Sequence, residues 1–294
     1  MRFITADRPP TIYRLWPLAI VCLTFAASCV AQRISILTPS ESDLSAAVAQ
    51  VISSRLIDRK FRVDDLGLSR SAAASVKTDT PFNLPVAEAR RLGSVLGTPF
   101  YILIKTGSLR RTSTKVEAYY EAFAAIYLVS SASGGLVKWH LVSIKESSET
   151  KALEGLLTAA DTAAKALAAV IESEMKALSN PLGTIRFPPV PDDKTPGFEN
   201  LRPPMPYRRI SPVYTPTANL YSVEATVEIE ANVDADGKIV STEIVRWAGY
   251  GLDESVDETV RSMNWRPATI GAKPLPMRVL LRYNFKKLEK DDDN

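Results

Sequence analysis

Apolar positions recur in two registers along this chain, alternately every second residue and at helical spacing, and the switches between them outline two blocks of elements. In the first block Ile34 to Leu37 is a short apolar run that reads as a buried strand. Thr38-Pro39-Ser40, with Asp43 three residues beyond Ser40, then forms a helix entry. Leu44, Val48, Val51, Ile52 and Leu56 carry an apolar stripe as far as Arg59, with Gln50, Ser53, Ser54 and Asp58 on the opposite side. Phe61-Arg62-Val63 returns as a strand. Pro85 suits a first helical position, and Val86, Ala89, Leu92, Val95 and Leu96 make a second stripe that stops at Gly97. Phe100 to Ile104 is another strand. Lys115 to Val129 and Leu136 to Ile144 flank Ser131-Ala132-Ser133-Gly134-Gly135 and predict a long hairpin. A helix follows over 150–178, with Leu153, Leu156, Leu157, Ala160, Ala164, Leu167, Val170, Ile171 and Met175 on one side. The order β-α-β-α-β-β-α predicts a sheet with helices packed on it.

The second block begins after a run of prolines. Ten of the twenty prolines fall between Pro181 and Pro216, where fixed φ and missing N–H groups exclude a helix or a central strand. Such a segment reads as an extended, semi-rigid spacer with a reach of up to ~110 Å. Beyond it, Val223, Ala225, Val227, Ile229 and Ala231 alternate with Glu224, Thr226, Glu228, Glu230 and Asn232 as a half-buried strand. Asp234-Ala235-Asp236-Gly237 is a turn, and Lys238 to Trp247 the returning strand. Leu252, Val256, Val260 and Met263 line a helix that begins near Gly251, and Arg278 to Phe285 is a last strand. The fold class is therefore α+β in two domains, the second being ββαβ. The expected boundaries are 1–31 for a signal peptide or anchor, 32–180 for the first domain, 181–208 for the linker, 209–288 for the second domain and 289–294 for an acidic tail.

The N-terminus bears on compartment. Arg2, Arg8 and Arg14 precede an uncharged run from Leu15 to Gln32 that reads as an export signal. Three outcomes stay open: cleavage after Ala31, behind Cys29-Val30-Ala31; retention as an anchor; and lipidation at Cys29, where Ala26 stands in place of the usual Leu. Each places the remainder outside the cytoplasm, in the periplasm, and associated with a membrane only if the segment is retained or lipidated.

Composition narrows the chemistry. With 36 basic against 33 acidic residues the net charge is +3, and no basic stretch is interleaved with aromatics, so a nucleic-acid surface is not expected. Both cysteines, Cys22 and Cys29, lie in the first thirty residues, and His140 is the one histidine, so neither a Cys–His nucleophile pair nor a multi-histidine metal site can be built within one chain. Asp234 and Asp236 precede Gly237 as in a calcium loop, but no acidic twelfth ligand follows, and a hairpin turn accounts for them. Gly249-Tyr250-Gly251 is followed by Glu254 where a dinucleotide fingerprint needs its third glycine. The expectation is a binding protein, with no catalytic residue, metal or cofactor.

Several motifs in order carry a family likeness: Pro212-Val213-Tyr214 with Ala218, Thr226-Val227-Glu228, Val233-Asp234-Ala235-Asp236-Gly237-Lys238, Leu252-Asp253, Trp265-Arg266-Pro267-Ala268, and the last strand ending in Phe285. Together they resemble the TonB C-terminal domain, over about residues 205–288. Thr215 and Ala225 depart from the proline and glycine usual there. The resemblance implies a periplasmic module that accepts an extended peptide of an envelope protein or outer-membrane transporter beside its last strand, by backbone pairing. Arg278, Val279, Leu280, Leu281, Arg282 and Tyr283 are the expected contact residues, with Arg209 and Tyr214 nearby in the entry segment. The N-terminal run lacks the histidine of a motor-coupled transducer, which favours a TonB-like binding protein over an energy transducer.

Residues 33–178 more faintly resemble the periplasmic domain of the curli-secretion and flagellar outer-membrane lipoprotein group. That likeness rests on Lys60-Phe61-Arg62-Val63, Leu96-Gly97-Thr98-Pro99-Phe100-Tyr101-Ile102-Leu103, and Ala125-Ile126-Tyr127-Leu128-Val129 before Ser133-Gly134-Gly135. It implies the alternative function of an envelope assembly or secretion scaffold whose first domain forms a homo-oligomer.

Overall fold

A computed structural model describes residues 32–40, 42–76, 80–112, 117–178, 186–191 and 195–287, so the expectations for 1–31, including Cys29, and for 289–294 lie outside it. The first half runs β1 (Arg33–Leu37), α1 (Asp43–Asp58), β2 (Arg62–Val63), α2 (Leu66–Ala74), α3 (Val86–Leu96), β3 (Phe100–Arg111), β4 (Tyr119–Ser130), β5 (Leu136–Glu146) and α4 (Glu149–Leu178). Its five strands lie in the order β2-β1-β3-β4-β5, with β1 parallel to β2 and β3, and β3, β4 and β5 mutually antiparallel. The α1 stripe begins at Ser42, not Ser40, because the Ser42 hydroxyl accepts the Ser45 N–H at 3.1 Å and caps the first turn. Gly97 ends α3 at φ +66, a left-handed cap that glycine adopts without strain.

One helix of the first half has no counterpart in the expected order. α2 starts where Asp65 accepts the N–H groups of Gly67 and Leu68 at 2.8 and 3.0 Å; its serine- and alanine-rich face carries little apolar periodicity, so the cap is its only local signal.

The second half runs β6 (Leu201–Arg202), β7 (Met205–Pro206), α5 (Pro216–Leu220), β8 (Ala225–Val233), β9 (Ile239–Arg246), α6 (Leu252–Ser262), β10 (Trp265–Arg266), β11 (Ala268–Ile270), β12 (Lys273–Leu275) and β13 (Met277–Phe285). The expected ββαβ core is β8, β9, α6 and β13, in an antiparallel sheet ordered β13-β8-β9. Short ribbons surround it: β10 pairs with β7, and β11 pairs with β12 and β6.

The two faces of the five-stranded sheet are buried by different parts of the chain. Ile34, Ile36, Ile102, Ile104, Ala124, Ile126 and Leu128 pack under α1 and α4. Tyr101, Leu103, Ala125, Tyr127 and Val129 pack on α3 and also on Val227, Ile229, Trp247, Tyr250, Leu252 and Val256 of the second half, within one continuous apolar cluster. This explains β4, whose residues Glu121–Ser130 are all buried: a strand covered on both faces loses its polar alternation.

Polar contacts seal that seam. The Trp247 indole N–H donates to the Gly134 carbonyl at 3.0 Å. Asn83 acts as an added rung at the end of β8: its Nδ2 donates to the carbonyls of Thr226 and Trp247, both at 2.7 Å, and its Oδ1 accepts the Thr226 N–H at 3.0 Å. The fully buried Glu121 accepts from Arg111, from Ser143 at 2.6 Å and from Tyr221 at 2.8 Å. A Cβ on Gly249 would meet the Trp139 ring at 2.6 Å, so glycine is what lets that backbone lie on the indole.

Pro188 and Pro189, expected within an extended spacer, lie against the second half. Apolar surface on the two halves is buried mutually; Phe187 N–H donates to Asn232 Oδ1 at 2.9 Å, and Pro189 pairs with Arg278.

Candidate partner-binding edge

β13 lies at one side of its sheet, with its inner side laddered to β8 from Met277↔Val233 to Phe285↔Ala225. Its side chains alternate accordingly. Val279, Leu281, Tyr283 and Phe285 turn to the apolar cluster, whereas Arg278 and Arg282 turn to the opposite face and pair with Glu230 at 2.9 Å and Glu228 at 2.6 Å. The backbone alternates too. The Arg278 N–H donates outward to the Pro188 carbonyl at 2.8 Å, and the Arg278 carbonyl accepts the Val190 N–H at 3.1 Å. Residues at a spacing of two share that direction, so the N–H and C=O groups of Leu280, Arg282 and Asn284 also face outward. Among the described residues no ladder continues along that side past Arg278.

A groove of about 580 Å3 runs beside these rungs. Val279 to Tyr283 form one wall, and Pro203, Pro204, Met205, Pro206 and Trp265 the other, with Val190 and Arg209 also lining it. The ribbon of β7 with β10 places the second wall, through Trp265↔Pro206 and Arg266↔Met205. Prolines there offer no N–H to the outward carbonyls of β13. Leu280 and Met205 are each 54% exposed.

The charge at the mouth is positive. Arg278 and Arg282 are balanced by glutamates, whereas Arg209 has no ion-pair partner among the described residues. Burial pushes the Tyr283 hydroxyl up, and the Arg209 charge opposes this, so the two lie within electrostatic reach.

Of the residues expected from sequence, the groove brings together Arg209, Val279, Leu280, Leu281, Arg282 and Tyr283. Arg278 stands at the end of the edge with its outward backbone already paired. Tyr214 is elsewhere in role: its hydroxyl donates to the carbonyls of Ala218 and Val223 at 3.1 and 3.0 Å, and its ring stacks on Phe285 at 6.3 Å, fixing the entry segment to the sheet. Sequence reasoning missed Val190, Met205 and the prolines 203–206. They reach β13 only through pairing across more than fifty positions, which no local periodicity encodes. Elsewhere, Asp234 Oδ1 accepts the N–H groups of Asp236 and Lys238 at 2.9 and 2.8 Å, a turn-closing use of that carboxylate. His140 lies exposed on β5. No described helix is long and apolar enough to cross a membrane.

Residues 210–287 match the family of the Gram-negative bacterial TonB protein C-terminal, in agreement with the motif order between Pro212 and Phe285. The solution structure of the Pseudomonas aeruginosa TonB C-terminal domain is similar at 20% identity, covering 30% of this chain and 89% of that one, with a TM-score of 0.26. Lipoprotein GNA1162 from Neisseria meningitidis is similar at 15% identity over 44% of this chain and 94% of its own, with a TM-score of 0.31. The PelC dodecamer from Paraburkholderia phytofirmans matches at 8% identity, over 46% and 85%, with a TM-score of 0.28. Comparison with curated proteins finds no match.

Proposed function

We propose, from the TonB-type C-terminal region at 210–287, that this is a cell-envelope protein that binds a partner by taking an extended segment of it onto the outer side of β13. One observation carries the reading: Leu280 and Arg282, whose outward backbone groups have no ladder partner among the described residues, line an open groove, and Pro188 and Val190 pair with the next rung of the same edge in the way an added strand would. Backbone pairing supplies affinity in such a complex, and alternate side chains supply selection. Here the apolar wall of Pro203 to Pro206 suits aliphatic side chains, and Arg209 suits a carboxylate. The partner is thus an extended, mostly apolar segment with an acidic residue, from an envelope protein or an outer-membrane transporter.

The work is binding, not catalysis. The protein acts in the periplasm, and the buried seam holds the edge in a fixed position on the first half.

The test is affinity capture from envelope extracts by the full chain and by its Leu280→Pro variant. Proline at an outward-facing edge position removes one rung and leaves the β8 ladder intact. The expected result is a captured envelope protein whose yield falls at least tenfold with the variant. Equal capture by both forms contradicts the reading.

A further inference from the structure

The proline-rich segment does more than connect. Arg186 pairs with Glu243 on β9, Phe187 N–H donates to the buried Asn232 Oδ1 on β8, and Pro188 and Val190 bond Arg278 on β13. Residues 186–190 thus form a strap that crosses the polar face of the sheet from one side to the other and ends as a one-rung parallel strand, with Val190 at the end of the groove.

We propose that this strap determines which strands the edge accepts: it occupies the first outward rung, limits a partner to the rungs at Leu280, Arg282 and Asn284, and yields that first rung only to a strand long enough to displace it. This consequence for partners rests on the strand-addition reading; the strap's own opening does not.

Three features fit a displaceable rung. Its grip on β13 is two backbone bonds, against nine residue pairs between β13 and β8. The Arg186–Glu243 pair is half exposed, where ion pairs are weak. Pro188, whose carbonyl faces β13, has no N–H to give it, so the pairing cannot extend past that carbonyl towards the start of the strap.

Residue-resolved amide exchange on the full chain tests the opening. The expected result is an Arg278 amide protected about ten- to a hundredfold over the outward amides of Leu280 and Arg282, yet exchanging far faster than the inward amides of Val279 and Leu281. With Val190→Pro, which removes one strap donor to Arg278, that protection should fall several-fold. An Arg278 amide as slow as its inward neighbours, or no slower than Leu280, overturns the proposal.

The competition is tested by envelope capture with the same variant. A several-fold rise in yield over the unaltered chain supports it, and an unchanged yield refutes it. Capture by neither form sinks the partner reading and the competition with it, whereas the exchange result still decides whether the strap opens.

Discussion

The small C-terminal sheet is held in two contrasting ways. Where it meets the first half, contact is dry and dense: Trp247 is buried beside Tyr127, with ring centroids 5.6 Å apart, and Asn83 closes the end of β8 with three side-chain bonds. Across its other face and its β13 side, the strap holds on through two backbone bonds, one side-chain bond and a partly exposed ion pair. A seam of the first kind is permanent on the timescale of binding, because apolar burial and desolvated hydrogen bonds are costly to undo. An attachment of the second kind opens locally. The contrast suits the proposed division of roles, with the seam positioning the sheet and the β13 side free to open.

The largest effect on that comparison comes from breaking the seam. Trp247→Ala removes a buried indole and its bond to Gly134, and should cost about 3–5 kcal/mol of stability in urea titrations. The unaltered protein should unfold in one transition by probes in either half, since one apolar cluster joins them. The variant should split that transition in two. Asn83→Ala strips Thr226 of its N–H acceptor and should cost about 2 kcal/mol by the same measurement.

A further prediction concerns pH. Asp253 is buried where Ala248 and Gly249 N–H groups point at its oxygens at 2.8 and 2.7 Å; desolvation dominates, and its carboxyl is pushed up to about 7. The folded form therefore binds its proton more tightly than the unfolded chain does. This group's contribution to stability is complete below about pH 4 and declines as pH rises towards about 7, by up to ~1.4 kcal/mol per pH unit. Glu121 is displaced in the opposite direction, its carboxyl lowered by Ser143, Tyr221 and Arg111 against the desolvation of burial, so the difference between the unaltered chain and Asp253→Asn is the quantity to follow. That difference should slope over this window and be flat outside it. The smallest effect belongs to the strap: Val190→Pro should cost under about 1 kcal/mol, because one exposed backbone bond is lost.

How far these features were legible in the sequence depends on how local their causes are. The alternation from Val223 to Ala231, the α3 stripe with its Gly97 stop, and the Asp234–Gly237 turn are each written within about ten residues, and the matching elements form there. Apolar residues at consecutive positions from Ala122 to Val129 did signal a strand, but only the fold shows that the second half covers its other face. Asn83, Val190 and Met205 gave no local sign, since their partners Thr226, Arg278 and Arg266 lie far along the chain. Within the proline run, residues 186–190 lie on the second half's sheet, which the spacer reading did not anticipate. Composition sets backbone shape; whether such a backbone spans solvent or lies on a sheet depends on acceptors such as Asn232 and Pro188 finding their donors.

The most direct measurement is photo-crosslinking inside intact envelopes from a reactive side chain placed at Leu280, compared with the same group at Val240, which is exposed on β9. An adduct to one envelope protein from position 280, absent from position 240, is the result expected of an open strand edge. No adduct from position 280, or the same adducts from both positions, contradicts it.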